Sequence, residues 1–263
     1  MRDAAALPTS LRFASLPNLR DLGGLPVTGG RLRPGLYRSE QLADLGAADR
    51  AAFGALGVRR VFDLRTAQER DASPDPLPEG ASGVVADVLG ESQDAAPAQL
   101  AALLAGQGGA ADEARIAGLF VEAYRQFVTL PSARAAYGAV FVALAREEEP
   151  ALFHCTAGKD RTGWAAAALL TWCGAARETV LADYLASNGP ILDKYAGTID
   201  RGVARGLPRE ALVAAFGVRE SYIEAAFAAM REAYGDVEGY FERGLGLGPD
   251  DQARLRARLI EPT

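Results

Sequence analysis

Ten consecutive residues, HCTAGKDRTG at 154–163, contain the chain's only histidine, one of its two cysteines, a lysine, an aspartate and an arginine. An apolar run of strand length, PALFHC (150–155), leads into them, and an apolar helix-like run, RTGWAAAALLTWCG, leads out. A loop between a buried strand and a helix N-terminus suits an anion, because successive backbone N–H groups converge and the helix dipole adds positive potential. In this reading the amides from Thr156 through Ala157, Gly158, Lys159 and Asp160 to Arg161 form a cradle. Gly158 permits a backbone conformation closed to other residues. Arg161, six positions after Cys155, presents a planar fork that matches two phosphate oxygens.

Cys155 then sits at the bottom of a cradle shaped for a phosphoryl group. Helix N-termini and nearby cations stabilise a thiolate. The chemistry expected is in-line attack of sulfur on phosphorus through a covalent intermediate. His154 is placed to orient the loop and support the thiolate, and Thr162 to donate its hydroxyl to the sulfur. The bland alternative is a small buried cysteine beside a structural histidine. Histidine, glycine, arginine and threonine at fixed offsets favour the catalytic reading.

The elements around the loop follow from pattern. GLYRS (35–39), RRVFDLR (59–65) and GVVADVL (83–89) read as strands, with helix-like LGAADRAAFGALG between the first two. SPDPLPEG (73–80) is proline-dense loop. Two helices broken by GQGGA fill 95–128, and SARAAYGAVFVALAREEE is an amphipathic helix. After the loop, RETVLADYLASN, PREALVAAFG, RESYIEAAFAAMREAYG and PDDQARLRARLI are helical. Strands alternating with helices, then a helical tail, indicate an α/β fold with a central sheet.

Composition narrows the partners. A chain of 263 residues, 49% hydrophobic and 24% charged, has the balance of a soluble globular protein. A net charge of −6 gives no global field for nucleic acid or an anionic membrane, so an anionic substrate must be held locally. Two cysteines and one histidine cannot supply a four-ligand zinc site or a disulfide framework. No metal and no cofactor is expected. The N-terminal residues lack an apolar signal core, and WAAAALLTWC is too short to span a bilayer. Stable membrane insertion is not expected, and the default location is cytoplasmic, with export without a cleaved signal left open. Nothing in the sequence addresses the oligomeric state.

HCTAGKDRTG resembles the signature loop of the cysteine-dependent protein tyrosine phosphatase superfamily. NLRDLGG (18–24), LRPGLYRSEQL (32–42), VFDLRTAQER (61–70), EAYRQF (122–127), ADYLASN (182–188) and GVRESYIEAAFAAMREAYG (217–235) resemble blocks of its atypical bacterial branch, typified by the mycobacterial secreted tyrosine phosphatase B. The resemblance covers nearly the whole chain and is weakest over 72–118. It implies a phosphotyrosine-phosphatase-like fold, with a mostly parallel sheet flanked by helices, in one domain over 1–263. It also implies a helical lid insertion at about 97–128 and a helical C-terminal part. By resemblance Cys155 is the nucleophile, Arg161 the phosphate-binding arginine, and Thr162 the hydroxyl that helps break down the phosphoenzyme. The implied substrates are phosphotyrosine proteins, with phosphoserine, phosphothreonine and phosphoinositides as further candidates.

A leaving-group acid is still needed. The WPD triplet common in the superfamily is absent, so Asp160, inside the loop as in myotubularin-like lipid phosphatases, is the first candidate. Asp87 in VVADVL is the second and Asp75 in SPDPLP the third. Lys159 either adds charge at the pocket rim for multiply phosphorylated inositols or balances Asp160. Arg20 and Asp21 are expected to pair and brace the loop, and Asp63 and Arg65 to support it from behind. Cys173 closes the helix after the loop, too far along it to bond Cys155. The competing functions are a primarily phosphoinositide phosphatase, a dead phosphate-binding module, and a rhodanese-like or arsenate-reducing thiol enzyme.

Overall fold

The computed structural model describes residues 9–90 and 112–262. Its centre is β8 (Ala151–His154), whose four residues are all buried because parallel neighbours flank it on both sides. Those neighbours are β5 (Leu36–Ser39) and β6 (Arg60–Asp63), and β7 (Ser82–Val85) extends the sheet parallel to β6. Two short antiparallel strands, β1 (Thr9–Ser10) and β2 (Arg20–Asp21), complete the order β1-β2-β5-β8-β6-β7. The mostly parallel sheet inferred from sequence is the observed one.

Register positions the site. Ser39, His154 and Asp63 are direct partners at the carboxyl ends of the three central strands. The segments that follow, Glu40–Gln41, Leu64–Thr66 and the 155–160 loop, therefore emerge side by side. A crevice at the carboxyl ends of parallel strands is the usual ligand position in open α/β sheets.

Helix α5 (Arg161–Trp172) starts where the loop ends, and nearly every residue in it is buried. Its run of alanines gives it apolar contact all round, the pattern of a central helix. It stops at Gly174, whose φ of +80° suits the position after a helix cap, while the Ala175 and Gly174 amides donate to Leu170 and Thr171 carbonyls. Both cysteines, at opposite ends of this segment, are free and buried. Burial pushes the Cys173 thiol up to about 12.

Helices α1 (Arg50–Gly54) and α2 (Ala67–Ala72) are short; α3 (Glu113–Thr129) and α4 (Pro131–Arg146) are long. After α5 come α6 (Arg177–Leu185), α7 (Asn188–Ala204), α8 (Arg209–Phe216), α9 (Glu220–Tyr234) and α10 (Pro249–Leu259). No single described helix is long and apolar enough to cross a membrane, and α3 with α4 passes only as a pair bent by 61°.

Three local readings change. The helix predicted over LGAADRAAFGALG shrinks to five residues, bounded by Gly57 at φ +67°. The strand predicted at 83–89 ends at Val85, because Asp87 Oδ1 accepts the amides of Leu89 (3.2 Å) and Gly90 (2.9 Å) and turns the chain. Helix α7 was hidden by Gly189, Pro190, Gly197 and Gly202, yet Pro190 lies in the first turn, where a missing N–H costs nothing. A small second sheet of β3 (Pro26–Val27), β4 (Gly30–Leu32) and β9 (Ile260–Pro262) joins the two ends of the chain. Of the predicted lid, 97–111 lie outside the described residues, and the remainder, 112–128, is the Asp112 cap and all of α3 but its last residue.

Candidate active site

The 155–160 loop is held by its carbonyls. Thr156 O accepts the Gln41 amide at 3.1 Å, Ala157 O accepts Asn18 Nδ2 at 3.0 Å, and Gly158 O accepts Arg38 Nη2 at 3.0 Å. With the carbonyls tied outward, the N–H groups turn the other way. Among the described residues, the amides of 156–161 donate to no protein acceptor, which leaves them free for an anion. Gly158 is required twice over. Its φ is +67°, and a Cβ would lie 2.3 Å from the Ser39 carbonyl oxygen.

Behind the loop lies a buried ionic cluster. Arg20 Nε bonds Asp183 Oδ1 at 2.8 Å, and Arg38 Nη1 bonds Asp183 Oδ2. Arg20 also reaches Asn18 Oδ1 (2.7 Å) and Ser187 Oγ (3.0 Å). The expected Arg20–Asp21 pair is therefore corrected. Neighbours in a strand point to opposite faces, so Arg20 faces α6 while Asp21 accepts the amides of Gly23 (2.7 Å) and Gly35 (3.0 Å). Burial and the Arg38 charge lower Arg20 to about 10. Burial opposes ionisation of Asp183, but the two arginines outweigh it and hold its carboxyl below the usual range.

Asp63 and Arg65, two apart and on one face, do pair. Arg65 Nε and Nη2 bond Asp63 at 2.9 and 2.7 Å, and Nη2 also bonds Asp75 at 2.5 Å. His154, fully buried, joins this cluster. Its Nδ1 donates to the Cys155 carbonyl at 3.1 Å, while Nε2 stands 3.2 Å from Asp75 Oδ2, out of line for a hydrogen bond. Burial would raise Asp75, but His154 and Arg65 keep it low. Asp63, Asp75 and His154 bring ligand-type atoms within 4.8 Å of one another, although Arg65 already pairs with both carboxylates.

In front, a cavity of about 230 Å³ has Cys155 and Arg161 in its floor. Its walls are apolar: Leu89, Phe120, Ala123, Phe127, Tyr195 and Phe216. The Arg161 fork is held by Glu69, with Nη1 to Oε2 and Nη2 to Oε1 both 2.7 Å. Thr156 Oγ1 also donates to Glu69 Oε1. Burial opposes the Glu69 charge, but Arg161 overrides it and holds that carboxyl far below the usual range; Arg161 is raised in turn. Arg161 Nε has no protein partner among the described residues.

The three acid candidates differ in placement. Asp160 borders the cavity, where Oδ1 accepts Tyr124 Oη at 3.0 Å and Lys159 Nζ lies 2.9 Å from Oδ2. Asp87 does not border it and is occupied by its own turn, with Arg70 Nη1 3.7 Å away. Asp75 belongs to the His154 cluster. The Lys159 amine also donates to Gly217 O (3.0 Å) and Ala215 O (3.3 Å) and sits 4.6 Å over the Phe120 ring. Among the described residues, Thr162 Oγ1 is buried without a hydrogen-bond partner, and no bond joins it to the Cys155 sulfur.

Sequence reasoning missed Glu69, Tyr124, Arg38 and Asp183. For Glu69 a signal existed: TAQE is a capping box, and Thr66 and Glu69 make both of its bonds. The spacing says nothing of the second job, in which the same carboxylate aligns Arg161.

The family model described as the tyrosine phosphatase family matches residues 11–261. A protein of Cupriavidus necator named as a tyrosine-protein phosphatase is 34% identical over 252 residues, 95% of this chain and 88% of that one. The triple specificity protein phosphatase PtpB of Mycobacterium tuberculosis is 32% identical over 272 residues, 92% of this chain and 96% of its own. A tyrosine-protein phosphatase of Nostoc commune is 31% identical, covering 84% of this chain and 73% of its own. The chain belongs to the tyrosine phosphatase family and is a phosphatase.

Proposed function

We propose that the protein hydrolyses phosphotyrosine through a cysteinyl-phosphate intermediate. The observation that carries this reading is that Cys155 and the Glu69-aligned Arg161 line one cavity, at a loop whose six amides have no protein acceptor among the described residues. The amides and Arg161 Nε hold the non-bridging oxygens, where negative charge is carried in the transition state. Cys155 Sγ attacks phosphorus as the P–O bond to the phenol breaks, and Asp160 gives its proton to the departing oxygen. Water then attacks phosphorus, Asp160 takes the water's proton, the S–P bond breaks, and inorganic phosphate leaves.

The aromatic walls favour an aryl phosphate, since Phe120, Phe127, Tyr195 and Phe216 offer faces and edges to a ring. Phosphoserine, phosphothreonine and phosphoinositides are secondary substrates of the same site, by analogy with the relative whose name records triple specificity. A primary role on phosphoinositides has less support, because the Lys159 amine is taken up by Asp160 and two carbonyls.

Purified protein assayed on phosphotyrosine, phosphoserine and phosphoinositide substrates beside Cys155→Ser tests this. Fastest release from phosphotyrosine, abolished by the substitution, is expected, with phosphate trapped on the Cys155 peptide. Release that survives Cys155→Ser sinks the mechanism, and faster release from the lipid reverses the preference.

A further inference from the structure

The carboxylate of Asp160 is not positioned by its own loop alone. Tyr124, on α3, donates its hydroxyl to Asp160 Oδ1 at 3.0 Å. Tyr184, on α6, donates to Tyr124 Oη at 2.7 Å. Each phenol has a single hydrogen, so the carboxylate at the end fixes the direction of the chain: Tyr184 to Tyr124 to Asp160. Both tyrosines are fully buried, with rings edge to face at 6.1 Å, and Gly163 leaves room for the Tyr184 ring. Burial raises both phenols well above 10, which keeps them donors over the whole working pH range.

Opposing this chain is Lys159, whose amine touches both Asp160 oxygens, at 3.1 and 2.9 Å. That amine is anchored at the far end of α8 by the Ala215 and Gly217 carbonyls. Asp160 therefore lies between two donors on different elements. Without Tyr124, the remaining donor is the ammonium, which points toward α8.

The geometry points to Tyr124 as a positioning residue for the leaving-group proton: its hydroxyl, buttressed by Tyr184, fixes the Asp160 carboxyl at the cavity floor. The inference rests on the phosphatase reading with Asp160 as acid. A misplacement of about 1 Å costs on the order of 100-fold in well-oriented reactions, and general acid catalysis supplies about 10²–10⁴-fold. Losing one of two positioning contacts is expected to remove about tenfold of that.

The test uses Tyr124→Phe, Tyr184→Phe and Asp160→Asn, alone and combined, on aryl phosphates whose phenols span a range of acidity. Tyr124→Phe is expected to lower kcat about tenfold for the poorest leaving group and to leave the best one within about twofold. Tyr184→Phe, one bond removed, is expected to change the leaving-group slope in the same sense by less, and it keeps the test available if Tyr124→Phe fails to fold. In the Asp160→Asn background neither change is expected to alter the slope further. An equal loss on every leaving group, or additive losses in the double variants, overturns the positioning role. Cys155→Ser run alongside separates the failures: retained activity there removes the cysteinyl-phosphate mechanism on which the inference rests, whereas abolished activity with a flat leaving-group response in Tyr124→Phe removes only the positioning role.

Discussion

Arg161 and Glu69 face each other through two parallel hydrogen bonds of 2.7 Å, 92 residues apart in sequence. The Nη1–Nη2 edge of the guanidinium is thus taken by Glu69, and Nε is the nitrogen left without a protein partner among the described residues. Glu69→Ala is expected to lower kcat/KM on aryl phosphates at least tenfold, through a loosened Arg161. It should also cost about 2 kcal/mol of stability, less than the ~3–5 kcal/mol of a fully buried pair, since Glu69 is a quarter exposed. The pH dependence follows from the sign. A carboxyl held below its ordinary 4.5 contributes stability that is complete above that value and lost as pH falls through the folded-state one. Urea midpoints measured from pH 6 downward should therefore fall more steeply for the wild type than for Glu69→Ala. Parallel curves would refute the coupling.

Gly158→Ala meets two penalties, a left-handed backbone and a Cβ 2.3 Å from the Ser39 carbonyl. The conformational part alone costs about 1–3 kcal/mol. The expected outcome is loss of activity with a stability loss above about 3 kcal/mol, read from chemical denaturation. A fully active, stable variant would mean that the loop carries no such constraint.

Asp160→Asn is expected to reduce kcat roughly 100-fold or more for poor leaving groups and little for phenols that depart unprotonated. The check is the slope of log kcat against leaving-group acidity. A uniform reduction would assign Asp160 to bracing the loop instead.

Asp183→Asn keeps the shape of the side chain but leaves Arg20 and Arg38 buried with no counter-charge between them. Breaking a buried pair in this way costs about 3–5 kcal/mol. A urea midpoint that drops accordingly at unchanged m-value is the expected result. A change below about 0.5 kcal/mol would show that the neutral partners, Asn18, Ser187 and the Gly158 carbonyl, suffice.

How much of this was legible in the sequence depends on distance along the chain. The loop, β8 and α5 are contiguous, and local pattern shows all three: apolar strand, glycine turn, apolar helix. The partners that hold them are remote. Asn18, Arg38, Glu69 and Tyr124 reach the loop from separate elements, Asp183 holds Arg38 from behind, and no periodicity records which remote side chains meet. Adjacency even misled: Arg20 next to Asp21 looked like a pair, but the strand sends them apart. The turn at Asp87 was hidden for the converse reason, since a carboxylate closing on the amides just after it is not visible in a valine-rich run.

The outward ties from Asn18, Arg38 and Gln41 bear on transplantation. Ten residues carry the nucleophile and the amides, but not the hooks that turn the carbonyls away. HCTAGKDRTG grafted onto a foreign strand–helix junction would bring its reactive groups without their orientation. During synthesis the same division means that residues 18–41 must wait for residues 154–187 to emerge before either part of the anion cradle can take shape.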